Sequence, residues 1–176
     1  MKKKKTILFI LSGLPASGKS TLSKLIAQHY KALYLRIDTV EQGLRDLLHC
    51  KVEGEGYRLS YRIASDNLKL GLNVIADSCN PIVLTRKEWD EVAISNNAIP
   101  INIEVICSDK KEHENRVQTR STEVENLILP TWIDIQERTF SPWEKGRILI
   151  DTSNKTITAT FDELISSIDT YLANNF

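Results

Sequence analysis

The chain of 176 residues carries 23 lysines and arginines against 23 aspartates and glutamates, with 41% hydrophobic and 26% charged residues. Zero net charge excludes the global positive field that drives non-specific binding to nucleic acid or membrane, so an anionic ligand must be held by a local patch. Length and composition fit one α/β domain over residues 1–176, and the odd, widely spaced Cys50, Cys79 and Cys107, with no C-x-x-C pair, argue for a reducing, cytoplasmic compartment over a disulfide framework or zinc site.

The basic run Lys2 to Lys5 reads as a solvated tail, because the apolar stretch behind it is too short for a signal-peptide core and no stretch reaches membrane-spanning length. Thr6-Ile7-Leu8-Phe9-Ile10-Leu11-Ser12 is a nearly continuous apolar run, the pattern of a strand buried on both faces of a parallel sheet. Gly13-Leu14-Pro15-Ala16-Ser17-Gly18-Lys19-Ser20-Thr21 follows at once and has the spacing of a phosphate-binding loop. Leu22, Leu25, Ile26 and His29 then recur at helical spacing, so strand, loop and helix fall where that motif needs them. The glycines let the backbone wrap phosphate oxygens, and the helix N-terminus adds favourable dipole charge. The expected nucleotide contacts are Gly13, Ala16, Ser17, Gly18, Lys19, Ser20 and Thr21, with Lys19 reaching the β- and γ-phosphates and Ser20 ligating Mg²⁺.

Further strands are expected over 33–37, 73–76, 101–106 and 147–150, and helices over about 40–49, 56–71, 82–96, 109–121 and 158–173. This alternation implies a doubly wound parallel sheet with helices on both faces and ligands beyond the strand C-termini. Asp38, just after the second strand, is positioned to accept the proton of a hydroxyl attacking the γ-phosphate; the plainer reading is an N-cap for a helix starting at Thr39. Asp77 closes the apolar Val74-Ile75-Ala76 and can hold Mg²⁺ or its water shell opposite Ser20, or serve as a turn or cap residue. On the helix opened by Ser108-Asp109, His113, Arg116 and Arg120 share a face. The two arginines can clamp polyphosphate and steady a transferring phosphoryl group, or belong to a salt-bridged exposed helix, whereas His113 reads as a packing residue. Trp89, Trp132 and Trp143 read as packing indoles, and Arg138, between Pro130-Thr131-Trp132 and Ser141-Pro142-Trp143, is a weak candidate for lining the pocket.

Taken together, the loop at residues 13–21, the strand-ending Asp38, Val74-Ile75-Ala76-Asp77-Ser78-Cys79-Asn80-Pro81, the Arg116/Arg120 helix and Ile150-Asp151-Thr152-Ser153 resemble the small P-loop kinases. The likeness is to the branch with polynucleotide 5′-hydroxyl kinases, zeta toxins, chloramphenicol phosphotransferases, gluconate kinases and adenylylsulfate kinases, often described as AAA-type ATP-binding proteins. It implies a three-layer P-loop NTPase fold with a five-stranded parallel core and a small arginine-bearing lid. It also implies Lys19 and Ser20 as phosphate and Mg²⁺ ligands, Asp38 as general base, Arg116 and Arg120 as lid arginines, and Asp151 and Thr152 in the loop bordering adenine. Many members of the branch read D-x-x-R after the second strand, whereas this chain has Asp38-Thr39-Val40-Glu41. Glu41 cannot bind an acceptor phosphate, which turns the expectation away from nucleotide-like or phosphorylated acceptors. Arg45, Arg58 and Arg62 are the cations available to an acceptor wall over residues 41–70.

The leading expectation is transfer of the γ-phosphoryl group of Mg-ATP to a small-molecule hydroxyl. A 5′-hydroxyl polynucleotide kinase would want a basic groove, which Glu41, Glu53, Glu55 and the neutral charge disfavour. A GTPase switch lacks its Asn-Lys-x-Asp and D-x-x-G signatures, and a ring-forming mechanical ATPase would need an added helical domain. A non-catalytic ATP sensor would keep the loop and have no use for Asp38.

Overall fold

Every residue of β1 (Ile7–Ser12) is buried, as its unbroken apolar run dictates. The computed structural model describes residues 5–144 and 146–175, so Lys2, Lys3 and Lys4 of the expected tail lie outside the described residues. β1 is the central strand of a five-stranded parallel sheet with β2 (Leu33–Arg36), β3 (Val74–Asp77), β4 (Ile99–Ile106) and β5 (Ile148–Asp151), in the spatial order β2-β3-β1-β4-β5. Side chains alternate between the two faces of a strand, and each face meets its own helices. Ile7, Phe9 and Leu11 pack with Leu22 and Ile26 of α1 (Lys19–Tyr30) and Leu164 and Ile168 of α7 (Ile157–Asn175). Leu8 and Ile10 pack with Ala64 and Leu68 of α3 (Glu55–Lys69) and Trp89 and Ala93 of α4 (Val83–Ser95). This is the α/β architecture with helices on both faces that the alternating pattern predicts. Among the described residues no helix is long and apolar enough to cross a membrane.

Several boundaries differ from the sequence reading by up to three residues, and three differences have a clear local reason. β2 ends at Arg36 and α2 (Ile37–Leu48) begins three residues earlier than expected, because Ile37 stays buried against the α3/α4 layer while already turning into helix. Asp38 therefore sits inside the first turn of α2, and Arg36 occupies the cap position, so the N-cap reading of Asp38 does not hold. β4 starts at Ile99 and takes in Pro100, which is tolerated near the beginning of a strand. α5 (Lys110–Thr119), capped by Asp109 through the Lys111 and Glu112 amides, stops before Arg120, which lies in extended backbone instead of continuing the arginine face. The loose stretch before β5 contains a short helix, α6 (Trp132–Gln136), that weak periodicity did not announce; Thr131 and Asp134 close it with a capping box.

At the end of β1 the chain passes close against the backbone of β4. Gly13 has φ +136°, and a Cβ there would lie 2.1 Å from the Val105 carbonyl oxygen. Gly13→Ala is therefore expected to lower stability by about 2–4 kcal/mol through backbone strain and overpacking, read as a fall in the urea unfolding midpoint with an unchanged slope.

Candidate nucleotide-binding cleft

A cleft of about 1090 Å³ opens along the carboxyl ends of the strands, where parallel sheets bind ligands. One end is the loop after β1. Ala16 (φ 64°) and Gly18 (φ 98°) adopt left-handed backbone, and Gly18 caps α1 with no side-chain hydrogen bond, so the first-turn amides are left for an anion. Pro15, Ala16, Gly18, Lys19, Ser20 and Thr21 line the space. Gly13 and Ser17, also expected to contact nucleotide, are not part of that lining: Gly13 donates its N–H to the Cys79 carbonyl (3.1 Å), and Ser17 is buried. The Lys19 ammonium donates to the Leu14 carbonyl at 2.9 Å.

The loop is gripped from outside by residues far along the chain. His113 Nε2 lies 2.8 Å from the Pro15 carbonyl oxygen, which can only accept, so that nitrogen carries the proton. Its ring stands edge-on to Trp132 at 5.2 Å. Thr152 donates its hydroxyl to the Ser17 carbonyl (2.9 Å), and Arg116 donates to the Thr152 hydroxyl (2.7 Å) and carbonyl (3.0 Å) while pairing with Glu112 at 2.6 Å. Arg116 thus reaches the cleft from the regular helix α5, as a strut as well as a charge. Asp151 stands behind the lining, where it accepts from the Ser108 amide and hydroxyl and the Ser153 amide and hydroxyl. Burial works against its charge, but these hydrogen bonds hold it well below the usual carboxylate range. Asp151 shapes the turn, and Thr152, Lys155, Ile157 and Thr160 face the cleft beside it.

At the middle of the cleft Ser20 and Asp77 both contribute to the lining. Together they offer a hydroxyl and a carboxylate, hard oxygen donors that fit a Mg²⁺ carried in on phosphates. Among the described residues no group of three or more His, Cys, Asp or Glu is gathered to hold a metal. Asp77 accepts a hydrogen bond from the Tyr34 hydroxyl at 2.7 Å, a partner that no spacing rule indicated.

The far end is walled by α2 and α3. Asp38 and Glu41 lie one turn apart on α2 and both line the cleft. Glu41 pairs with Arg45 (3.2 Å) and is pressed by Gly56 of α3, where a Cβ would meet the Glu41 Cγ at 2.2 Å. Burial raises the Glu41 pKa; the Arg45 guanidinium offsets part of that shift and the Asp38 carboxylate adds to it. Of the other candidate wall cations, Arg58 lines the cleft and Arg62 is exposed outside it.

Residues 121–144 cross the mouth. Glu123 pairs with Lys24 and, at 3.6 Å, with Arg36; Asn126 bonds Asp46 (3.3 Å); Leu127, Ile128 and Leu129 line the cleft beneath. Arg120 and Arg138 line it as well, and Arg138 donates to the Cys79 sulfur at 3.8 Å. None of the three tryptophans does so. Trp89 is buried against Tyr61, the half-buried Trp132 packs on His113, and Trp143 stacks on the Arg86 guanidinium, consistent with packing roles.

A phosphate loop between a central parallel strand and its helix, in a five-stranded sheet with this cleft, defines a P-loop NTPase with the fold of the small P-loop kinases. A family profile described as an AAA domain matches residues 8–140, and the chain belongs to that family. No curated protein matches. Solved structures with the same fold include the Mycobacterium tuberculosis APS kinase CysC in complex with AMPPNP and APS, 16% identical with a TM-score of 0.69, covering 94% of this chain and 98% of that one. A gluconokinase from Sinorhizobium meliloti is 13% identical with a TM-score of 0.69, covering 97% and 96% of the two chains. Chaetomium thermophilum Kti12 in complex with ADP-AlF3 is 20% identical with a TM-score of 0.64, covering 90% and 97%.

Arg116→Ala removes both bonds to Thr152 and leaves Glu112 unpaired. ADP binding measured by calorimetry is expected to weaken by about tenfold, the equivalent of one lost charge-assisted hydrogen bond.

Proposed function

We propose that the chain is an ATP-dependent kinase that moves the γ-phosphoryl group of Mg-ATP to a hydroxyl of a small-molecule acceptor. The observation that carries this reading is that Asp38 and the phosphate loop face one cleft, with room beyond Asp38 for a second molecule. In this reading the amides of the loop and Lys19 hold the β- and γ-phosphates, and Arg116 and Arg120 neutralise charge spread over the transferring group. Ser20 and Asp77 would hold Mg²⁺, which would supply positive charge to offset that of the phosphates. Asp38 accepts the proton of the attacking hydroxyl as its oxygen bonds to the γ-phosphorus and the bond from that phosphorus to the β–γ bridging oxygen breaks, releasing ADP. Holding both reactants in line supplies most of the rate, since the protein has little covalent chemistry to perform.

The acceptor end favours a hydroxyl compound with no phosphate beside the reacting group. Two carboxylates, Asp38 and Glu41, share that wall, and the nearest arginine, Arg45, is already paired with Glu41. A neighbouring hydroxyl or ammonium of the acceptor can donate to Glu41, whereas a phosphate there would meet like charge.

Two measurements test the reading. γ-Labelled ATP is incubated with Mg²⁺ and a panel of sugars, polyols, nucleosides, aminoglycoside and phenicol antibiotics, and 5′-hydroxyl oligonucleotides. Label is expected in a small hydroxyl compound and should disappear with Asp38→Asn, which keeps ATP binding; full transfer by that variant overturns the role of Asp38. Glu41→Gln is expected to raise the acceptor KM by about 10–100-fold, one lost hydrogen bond to a charged group, with the ATP KM unchanged.

A further inference from the structure

Tyr34 lies on β2 with its ring packed on the α1 side of the core, next to Phe9 and Ile26 in the same apolar cluster. In the β2–β3 register Asp77 stands opposite Arg36, two residues beyond Tyr34 and on the same face. The Tyr34 hydroxyl reaches it and donates to Asp77 Oδ2 at 2.7 Å. Ser20, in the first turn of α1, lies near enough to act on the Tyr34 phenol, whose oxygen keeps a lone pair open to its hydroxyl. Among the described residues Asp77 Oδ1 has no hydrogen-bond donor.

These contacts have a definite direction. A carboxylate only accepts, so the Tyr34 proton points at Asp77, and the Tyr34 oxygen is free to accept from Ser20. A serine that gives a lone pair to a cation must send its own proton elsewhere, and the phenol oxygen is an acceptor open to it.

We propose that Tyr34 is a positioning residue for the divalent-cation end of the cleft: it accepts the Ser20 hydrogen bond and passes its own to Asp77. A Ser20 lone pair and the free Asp77 oxygen are thereby presented together to a cation bound on nucleotide phosphates. The proposal rests on the nucleotide-binding reading above and concerns residues that β2, β3 and α1 bring together from distant parts of the chain. Partners of this kind, one step removed from the ion, change metal affinity by about 10–100-fold when lost.

The test is the dissociation constant of ADP, measured by calorimetry across a series of fixed free Mg²⁺ concentrations, for the natural chain, Tyr34→Phe, Ser20→Ala and the double variant. Tyr34→Phe is expected to raise the Mg²⁺ concentration for half-maximal tightening at least tenfold, with metal-free ADP affinity unchanged. In the Ser20→Ala background the same change should have little further effect, because the two hydroxyls act as one unit. An unaltered Mg²⁺ requirement in Tyr34→Phe, an equal loss of metal-free ADP affinity, or full additivity with Ser20→Ala each overturns the proposal. ADP binding by the natural chain that ignores Mg²⁺ overturns it too and leaves the nucleotide reading standing, whereas no ADP binding at all overturns that reading itself.

Discussion

The cleft depends on how closely the backbone leaving β1 can pass the end of β4. Gly13 makes that passage because it has no side chain to meet the Val105 carbonyl, and the turn is then fixed by its amide bond to Cys79 and by the Asn80 side-chain amide, which donates to the Leu11 carbonyl at 2.8 Å. The outer side of the loop is braced by His113 on Pro15 and Thr152 on Ser17. A loop held at four points has little freedom left to lose, so binding energy from phosphates is not spent on ordering it.

Both signs of charge line the same cleft. Lys19, Arg116 and Arg120 share its lining with Asp38 and Glu41, and Arg45, Arg58 and Arg138 line it too. Glu41 is held on the α2 wall by packing: Gly56 of α3 leaves just enough room for its side chain, whose carboxylate stays with Arg45. Glu41 is thus part of the wall's architecture.

How much of this was legible in the sequence follows from the range of each interaction. The strand, loop and helix around residues 13–21 were readable because motif and periodicity are local, and the parallel five-stranded sheet followed from the alternation of elements. Local reasoning could not distinguish the last apolar residue of β2 from the first of α2, so it left Asp38 at a strand end when it lies within a helix. It identified Arg116 and Thr152 separately and could not join them, and it assigned Asp151 to the nucleotide when Ser108, 43 positions away, claims that carboxylate. Tyr34 was invisible for the same reason: nothing near residue 34 in the chain reveals that its hydroxyl meets Asp77.

The central place of β1 also has a consequence during biosynthesis. Ile7 pairs with Ile99 and Leu8 with Val74, so β1 is flanked by strands made much later than itself. At about 5–20 residues per second, roughly 5–20 s pass before β4 can emerge beside it. For that interval the β-prone run from Ile7 to Leu11 lacks its β4 partner along one edge, and an unpaired edge of this kind nucleates aggregation. The yield of folded chain should therefore be governed by translation speed and by chaperones at the ribosome exit, even though the finished sheet conceals the strand completely.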